Sequence, residues 1–135
     1  MDKVLKLTEG NDEFLKKVEE LSGEKINRCN QCGVCSSSCP MTDEMDITPS
    51  QVMSLVQLGQ KERVLESSTI WVCASCYTCR VRCPRELDLS KVGEALRMFK
   101  LRSAVDHIDI NSISKDEMKE LPQIAIVSAF RKFTG

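Results

Sequence analysis

Cys29, Cys32, Cys35 and Cys39, with Pro40 behind them, form a C-x2-C-x2-C-x3-C-P run. The same run recurs at Cys73, Cys76, Cys79, Cys83 and Pro84, each member 44 residues after its counterpart. Three thiolates two residues apart can wrap one iron–sulfur cubane corner by corner. A fourth, three residues on and followed by Pro, is turned away from it. This is the spacing of bacterial two-cluster ferredoxins, in which the fourth cysteine ligates the other cluster. The pattern therefore predicts two [4Fe–4S] clusters. Cys29, Cys32, Cys35 and Cys83 are expected at the first, and Cys73, Cys76, Cys79 and Cys39 at the second.

Two other chemistries use cysteines at close spacing. Zinc sites usually combine two separated C-x2-C pairs, whereas each run here offers three thiols in tight succession plus a fourth. Disulfides belong to oxidising compartments, and nothing at Met1–Lys6 reads as a secretory signal, since an apolar stretch and a small-residue cleavage site are both missing. No apolar run approaches the roughly 20 residues that span a bilayer. The expectation is a soluble, cytoplasmic protein with no membrane span.

The rest of the inventory is plain. Net charge is -1, which gives no bulk attraction to nucleic acid or anionic membrane. No G-x-G-x-x-G or G-x-x-x-x-G-K-[ST] loop is present, so no nucleotide site is predicted. With all eight cysteines committed, no thiol is left as a nucleophile, and no catalytic residue is assigned. His107 is expected as a surface or cap residue rather than a ligand. Trp71 is expected to pack over a cluster and exclude water. Arg80, Arg82 and Arg85 crowd the second run, whereas the first is small and neutral. Positive charge favours the reduced cluster, so the second is expected to have the higher potential; the alternative is that these arginines are solvated or salt-bridge a partner, where exposed charge is screened.

These loops need elements to hold them. Aromatic residues number only six, so a large apolar core cannot be the whole answer and the crossed ligands are expected to staple the halves. Thr48-Pro49-Ser50-Gln51 reads as a helix start with Thr48 as cap and Gln51 closing a capping box. Val52, Leu55 and Val56 follow at helical spacing, with Gly59 past the end and a short helix after Gln60. Upstream, Asn11 or Asp12 caps a helix carrying Phe14, Leu15, Val18 and Leu21 that stops near Gly23. Downstream, Asp88 or Ser90 caps a helix with Val92, Ala95, Leu96 and Phe99 on one face. Ser114 and Glu117 form another capping box, and Pro122 restarts a helix whose apolar face is Ile124, Ala125, Val127 and Phe130. Lys25–Arg28 reads as extended. The fold class is mainly α, in three parts: an N-terminal helical segment (1–24), a two-cluster core (25–105), and a C-terminal helical segment (106–135) for packing or partner docking.

Two such runs separated by helix resemble the α-helical ferredoxins, the class that includes the C-terminal half of fumarate reductase and succinate dehydrogenase iron–sulfur subunits. The text around the cysteines narrows this. Cys29-Asn30-Gln31-Cys32-Gly33-Val34-Cys35-Ser36-Ser37-Ser38-Cys39-Pro40, Ile70-Trp71-Val72-Cys73-Ala74-Ser75-Cys76-Tyr77-Thr78-Cys79 and Leu121-Pro122-Gln123-Ile124-Ala125 resemble the C subunit of heterodisulfide reductase. That resemblance implies an electron-transfer subunit without substrate chemistry of its own. It would pass electrons from a flavin-bearing A subunit to a B subunit that reduces the coenzyme M–coenzyme B disulfide in methanogenesis, with a hydrogenase or formate dehydrogenase upstream. A relay in a fumarate reductase-like or glycolate oxidase-like complex is the neighbouring alternative. A redox sensor or structural cluster protein is a third, though no DNA-reading motif or basic stripe accompanies the cysteines.

Overall fold

The computed structural model describes residues 11–103 and 106–135. Nine α-helices and three single 3-10 turns make up the regular structure among them, with no strand. The helices are α1 (Asn11–Ser22), α2 (Val34–Ser38), α3 (Pro49–Gln57), α4 (Lys61–Leu65), α5 (Thr69–Val72), α6 (Thr78–Arg82), α7 (Leu89–Leu101), α8 (Lys115–Glu120) and α9 (Gln123–Phe133). The chain divides into two compact units, one closing at Arg97 and the other running from Met98 to Gly135.

Helix boundaries follow local chemistry. At α3, Thr48 is the N-cap, Pro49 occupies the first turn, and the Gln51 side chain accepts from the Thr48 N–H at 2.9 Å. Pro at that point loses no bond, because its missing N–H would have had no helical partner. The helix ends at Gly59, which takes φ 65°. The Gly59 N–H bonds to Val56 O and the Gln60 N–H to Leu55 O, both orphan carbonyls of the last turn, in a Schellman arrangement. Gly23 ends α1 in the same left-handed conformation, its N–H returning to Glu19 O at 2.9 Å. α1 is already helical at Asn11, which leaves its capping position outside the described residues, and Asp12 lies within the first turn.

Asp88 rather than Ser90 caps α7: its Oδ1 accepts from the Ser90 N–H (3.0 Å) and the Lys91 N–H (3.4 Å). Glu24 ties this start to the end of α1, accepting from the Asp88 N–H and pairing with Lys91 at 3.4 Å. The segment read as extended, Lys25–Arg28, is instead a 3-10 turn over Ile26–Arg28. Ile26 is fully buried there. A tight turn lets that one side chain enter the core while its polar neighbours stay out, an outcome without periodicity for a sequence to display.

The core of the first unit is aliphatic: Val18, Ile26, Met53, Val56, Val64, Val92 and Leu96 are each at most 1% exposed. Each such side chain contributes about 1.5–3 kcal/mol relative to exposure. α3 is the central element, packing against α1, α2, α4 and the Ile26–Arg28 turn. Phe14, Leu15 and Val18 of α1 are buried as their spacing predicts, with Leu21 at the margin. In the second unit, Ser114 and Glu117 form the expected capping box at α8. Part of the apolar face of α9 is uncovered: Ile124 is 72% and Val127 49% exposed, while Phe130 is half-buried. His107 packs against Phe133 there, ring centroids 5.7 Å apart.

Candidate metal centres

The two cysteine runs fold alike, residue by residue. Gln31 and Gly33 take left-handed backbone (φ 57° and 78°), and so do their counterparts Ser75 and Tyr77 (φ 54° and 61°). Such turns curl backbone N–H groups round an anionic guest. Each curl leads into a five-residue helix, α2 or α6, and each helix ends at a fourth cysteine in extended conformation, Cys39 or Cys83. The left-handed position costs Gly33 nothing and costs Tyr77 on the order of 1 kcal/mol. α2 and α6 pack directly against each other, which carries each fourth cysteine across to the other run.

Two recesses result. One is lined by Cys29, Cys32, Cys35 and Cys83, the other by Cys73, Cys76, Cys79 and Cys39. Leu89, at the start of α7, lines both. The second recess is walled by Met41, Met45, Val52, Ile70 and Val92, an apolar shell that restricts water. No disulfide joins any of the eight cysteines. Among the described residues no three His, Cys, Asp or Glu side chains converge as they must to hold a single ion. The thiols stand around a space instead, as a polynuclear cluster requires.

Neighbouring residues fix the loops. Gln57 Nε2 donates to Ile26 O (3.0 Å) and Cys29 O (3.1 Å), clamping the first run to α3. Asp46 does the equivalent for the second. It accepts from the Ser68 N–H (3.1 Å), the Thr69 N–H (3.2 Å) and the Thr69 hydroxyl (2.8 Å), and so holds the start of α5, whose end is Cys73. Burial by itself would raise the Asp46 pKa, but the bonds from Thr69, Ser68 and Ile47 outweigh it and hold the carboxyl below its ordinary value.

The thiols act on one another. Cys79 is pushed up to about 11, first by burial and then by the charge of Cys73, with Cys35 and Cys76 adding to it. Burial also raises Cys35, against hydrogen bonds from Ser36, with Cys29 and Cys32 adding. The exposed Cys76 is lowered by the Thr78 hydroxyl, 3.3 Å away. The two quartets are neighbours, since Leu89 lines both recesses and α2 packs on α6. Four clustered thiols resist joint ionisation, and a multiply charged metal centre is what stabilises the thiolates.

The arginines are arranged differently from the sequence expectation. Arg80 turns to Asp88, its Nη1 3.3 Å from Oδ2, so its charge is matched inside the chain. Arg85 lines the first recess, not the second. Trp71 is buried in the core but lines neither recess; Thr69 and Ile70 take that place. Two residues stand at the second recess without having been expected there: Ser90, read only as a possible cap, and Arg97. Ser90 lines it with a buried hydroxyl that has no hydrogen-bond partner among the described residues. Arg97 lies behind its wall, 7% exposed. An unpaired donor beside four thiols is the surface a sulfur-rich anionic guest would satisfy.

Residues 28–88 match the family model of the 4Fe-4S dicluster domain. The chain carries a dicluster domain for two [4Fe–4S] clusters. Comparison with known proteins narrows the kinship. The chain is 38% identical over 102 residues to one of the iron–sulfur C subunits of CoB–CoM heterodisulfide reductase from Methanocaldococcus jannaschii, covering 70% of this chain and 54% of that protein. It is 32% identical over 104 residues to the corresponding C subunit from Methanopyrus kandleri, covering 71% and 54%. It is 32% identical over 85 residues to the C subunit of the H(2):CoB-CoM heterodisulfide,ferredoxin reductase of Methanothermobacter marburgensis, covering 63% and 46%. The chain is thus similar, over about two thirds of its length, to heterodisulfide reductase C subunits. It spans about half the length of the curated relatives it matches. Among the described residues no helix is long and apolar enough to cross a membrane.

Proposed function

We propose that this chain is the electron relay of a heterodisulfide reductase, with one [4Fe–4S] cluster on Cys29, Cys32, Cys35 and Cys83 and the other on Cys73, Cys76, Cys79 and Cys39. The observation that carries the reading is the composition of the two recesses: three thiols from one run and one from the other, in both. Clusters of this type supply one-electron transfer when bound. The chain's own contribution is to hold them side by side across Leu89 and to surround the second with apolar side chains. The relatives' names support a place in such a reductase. In this reading the assembly is cytoplasmic. A flavin-bearing A subunit donates electrons, a B subunit reduces the coenzyme M–coenzyme B disulfide, and a hydrogenase or formate dehydrogenase feeds the complex. The chain itself would perform no substrate chemistry. Leu121, Ile124 and Val127, exposed on the second unit, support a docking role for that part.

Anaerobic purification tests this directly. The protein should be brown, with about eight iron and about eight sulfide atoms per chain, as two four-iron cubanes require. It should accept electrons from the A subunit and deliver them to the B subunit. A colourless protein with stoichiometric zinc, or a loaded one that neither subunit oxidises or reduces, would end the reading. Cys83→Ser should perturb the same cluster that Cys32→Ser perturbs. If it disturbs only the cluster marked by Cys76→Ser, the crossed assignment is wrong.

A further inference from the structure

Only two charged side chains are buried among the described residues, Asp88 and Arg97. Asp88 is accounted for by Arg80 and by the α7 cap it forms. Arg97 is not. Its Nη1 donates to the Ile70 carbonyl at 2.7 Å, and no carboxylate lies within ion-pair distance of it among the described residues. A guanidinium cannot shed its proton, so burial without a carboxylate partner among the described residues leaves an electrostatic cost that one carbonyl bond only partly offsets. The position of the group identifies what does. Ile70 and Gly93 both line the Cys39, Cys73, Cys76 and Cys79 recess. The guanidinium bonds to the first and lies against the second, 3.6 Å from where a Gly93 Cβ would stand. Burial lowers the Arg97 pKa, and the charge of Cys73, ahead of that of Glu94, pulls it back up. In the first turn of the same helix, two turns before Arg97, Ser90 presents at the same recess a buried hydroxyl that has no partner among the described residues. The first recess has no such pair: its arginine, Arg85, is exposed.

We propose that α7 holds the potential of the cluster in the Cys39, Cys73, Cys76 and Cys79 recess above that of its neighbour, with Arg97 as buried counter-cation and Ser90 as hydrogen-bond donor to cluster sulfur. This rests on the ligand reading above, but only on Cys73, Cys76 and Cys79 sharing one cluster. Adding an electron makes a thiolate-ligated cluster more negative, so a fixed positive charge and a donor nearby both favour the reduced form. Arg97 acts from a site that salt does not reach, whereas the exposed Arg82 and Arg85 are screened within about 10 Å at 0.1 M ionic strength. The asymmetry first sought in the cysteine run is thus supplied by a helix that begins after it.

The test is a redox titration of the cluster-loaded full chain, followed by electron paramagnetic resonance, with iron and sulfide assayed for every variant. Cys32→Ser and Cys76→Ser mark which signal belongs to which run. In the unaltered chain the second cluster should be the higher in potential, and the gap should persist in 1 M salt, where the Debye length is about 3 Å. Arg97→Gln should shift the reduced-to-oxidised ratio of that cluster at fixed potential about tenfold toward oxidised, about 59 mV for one electron, and leave the other unmoved. Arg97→Lys should retain most of the effect. Ser90→Ala, a substitution the fold should tolerate, should shift the same cluster severalfold in the same direction. A gap that collapses in salt overturns the proposal, as does an unmoved second cluster in either Arg97→Gln or Ser90→Ala at full iron content. A Lys variant as perturbed as the Gln variant would show packing, not charge, and overturns it too. Misassignment of Cys39 and Cys83 would show instead in the Cys83→Ser comparison and would leave these outcomes unchanged.

Discussion

Asp88 is 1% exposed and makes three bonds: Oδ1 to the Ser90 and Lys91 N–H groups, Oδ2 to Arg80. The helix it caps carries Leu89, Ser90, Val92 and Gly93, all lining the second recess. Replacing Asp88 with Ala removes the cap, at a cost of about 1 kcal/mol. It also removes a pair with a half-exposed arginine, about 0–1 kcal/mol, and a negative charge at a helix N-terminus, about 0.3–1 kcal/mol. Together these come to about 2 kcal/mol, partly offset because a buried carboxylate no longer has to be desolvated. Asp88→Asn keeps the amide oxygen for the two N–H groups and loses only the charge terms, so it should cost about half as much. At about 3–4 °C per kcal/mol for a chain of this size, the expected drops in thermal midpoint are about 6–8 °C for Ala and about 3–4 °C for Asn. Far-UV circular dichroism under anaerobic conditions, at matched iron content and scan rate, reads both. An Ala variant within about 1 °C of the parent, or an Asn variant as damaged as Ala, would refute the assignment of Asp88 as the cap that seats α7.

Thr48→Ala should lower stability by about 1 kcal/mol, the usual cost of losing such a cap, measured in the same way. Gly33→Ala should cost about 1 kcal/mol through backbone strain alone, since φ is +78° and no atom lies within 4 Å of the added Cβ; denaturation and iron content together separate this from loss of the cluster. Asp46 has its pKa lowered in the folded chain, so its contribution is present above the unfolded value of about 4 and is lost as pH falls through the lowered one. Asp46→Asn should therefore flatten the acid limb of a helix-content titration below about pH 4, and an unchanged limb would count against the bonds to Ser68 and Thr69.

What the sequence disclosed, and what it withheld, divide by physical cause. Caps are local, and so Thr48 with Gln51, Ser114 with Glu117, and Gly59 could all be read from a few adjacent residues. The cysteine runs were legible because ligand spacing is dictated by the guest. Side-chain direction was not. Arg80, Arg82 and Arg85 drew attention by adjacency to Cys79 and Cys83, yet the one that turns inward meets Asp88. Arg97 carries no mark that sets it apart from the polar positions of an amphipathic helix. The available signal was Gly93, one turn earlier: a residue without a side chain makes room on a buried stripe for a long one to fold back. Trp71 reads as a shield for the cluster by its distance from Cys73, but the short helix α5 rotates Ile70 into that role and sends the indole to the core. The 3-10 turn at Ile26 depends on a single buried side chain, and a single residue has no period.

The exchange of fourth cysteines between the runs has a consequence in time. A chain leaving the ribosome presents Cys29, Cys32, Cys35 and Cys39 together, but these four do not meet around one recess. The second recess has its full set only when Cys79 has emerged, and the first only after Cys83. Until then the earlier run is a partly satisfied loop, open to oxidation or to the wrong metal. Synthesis order thus runs opposite to numbering: the recess built on the later cysteines is the first whose four thiols are all present.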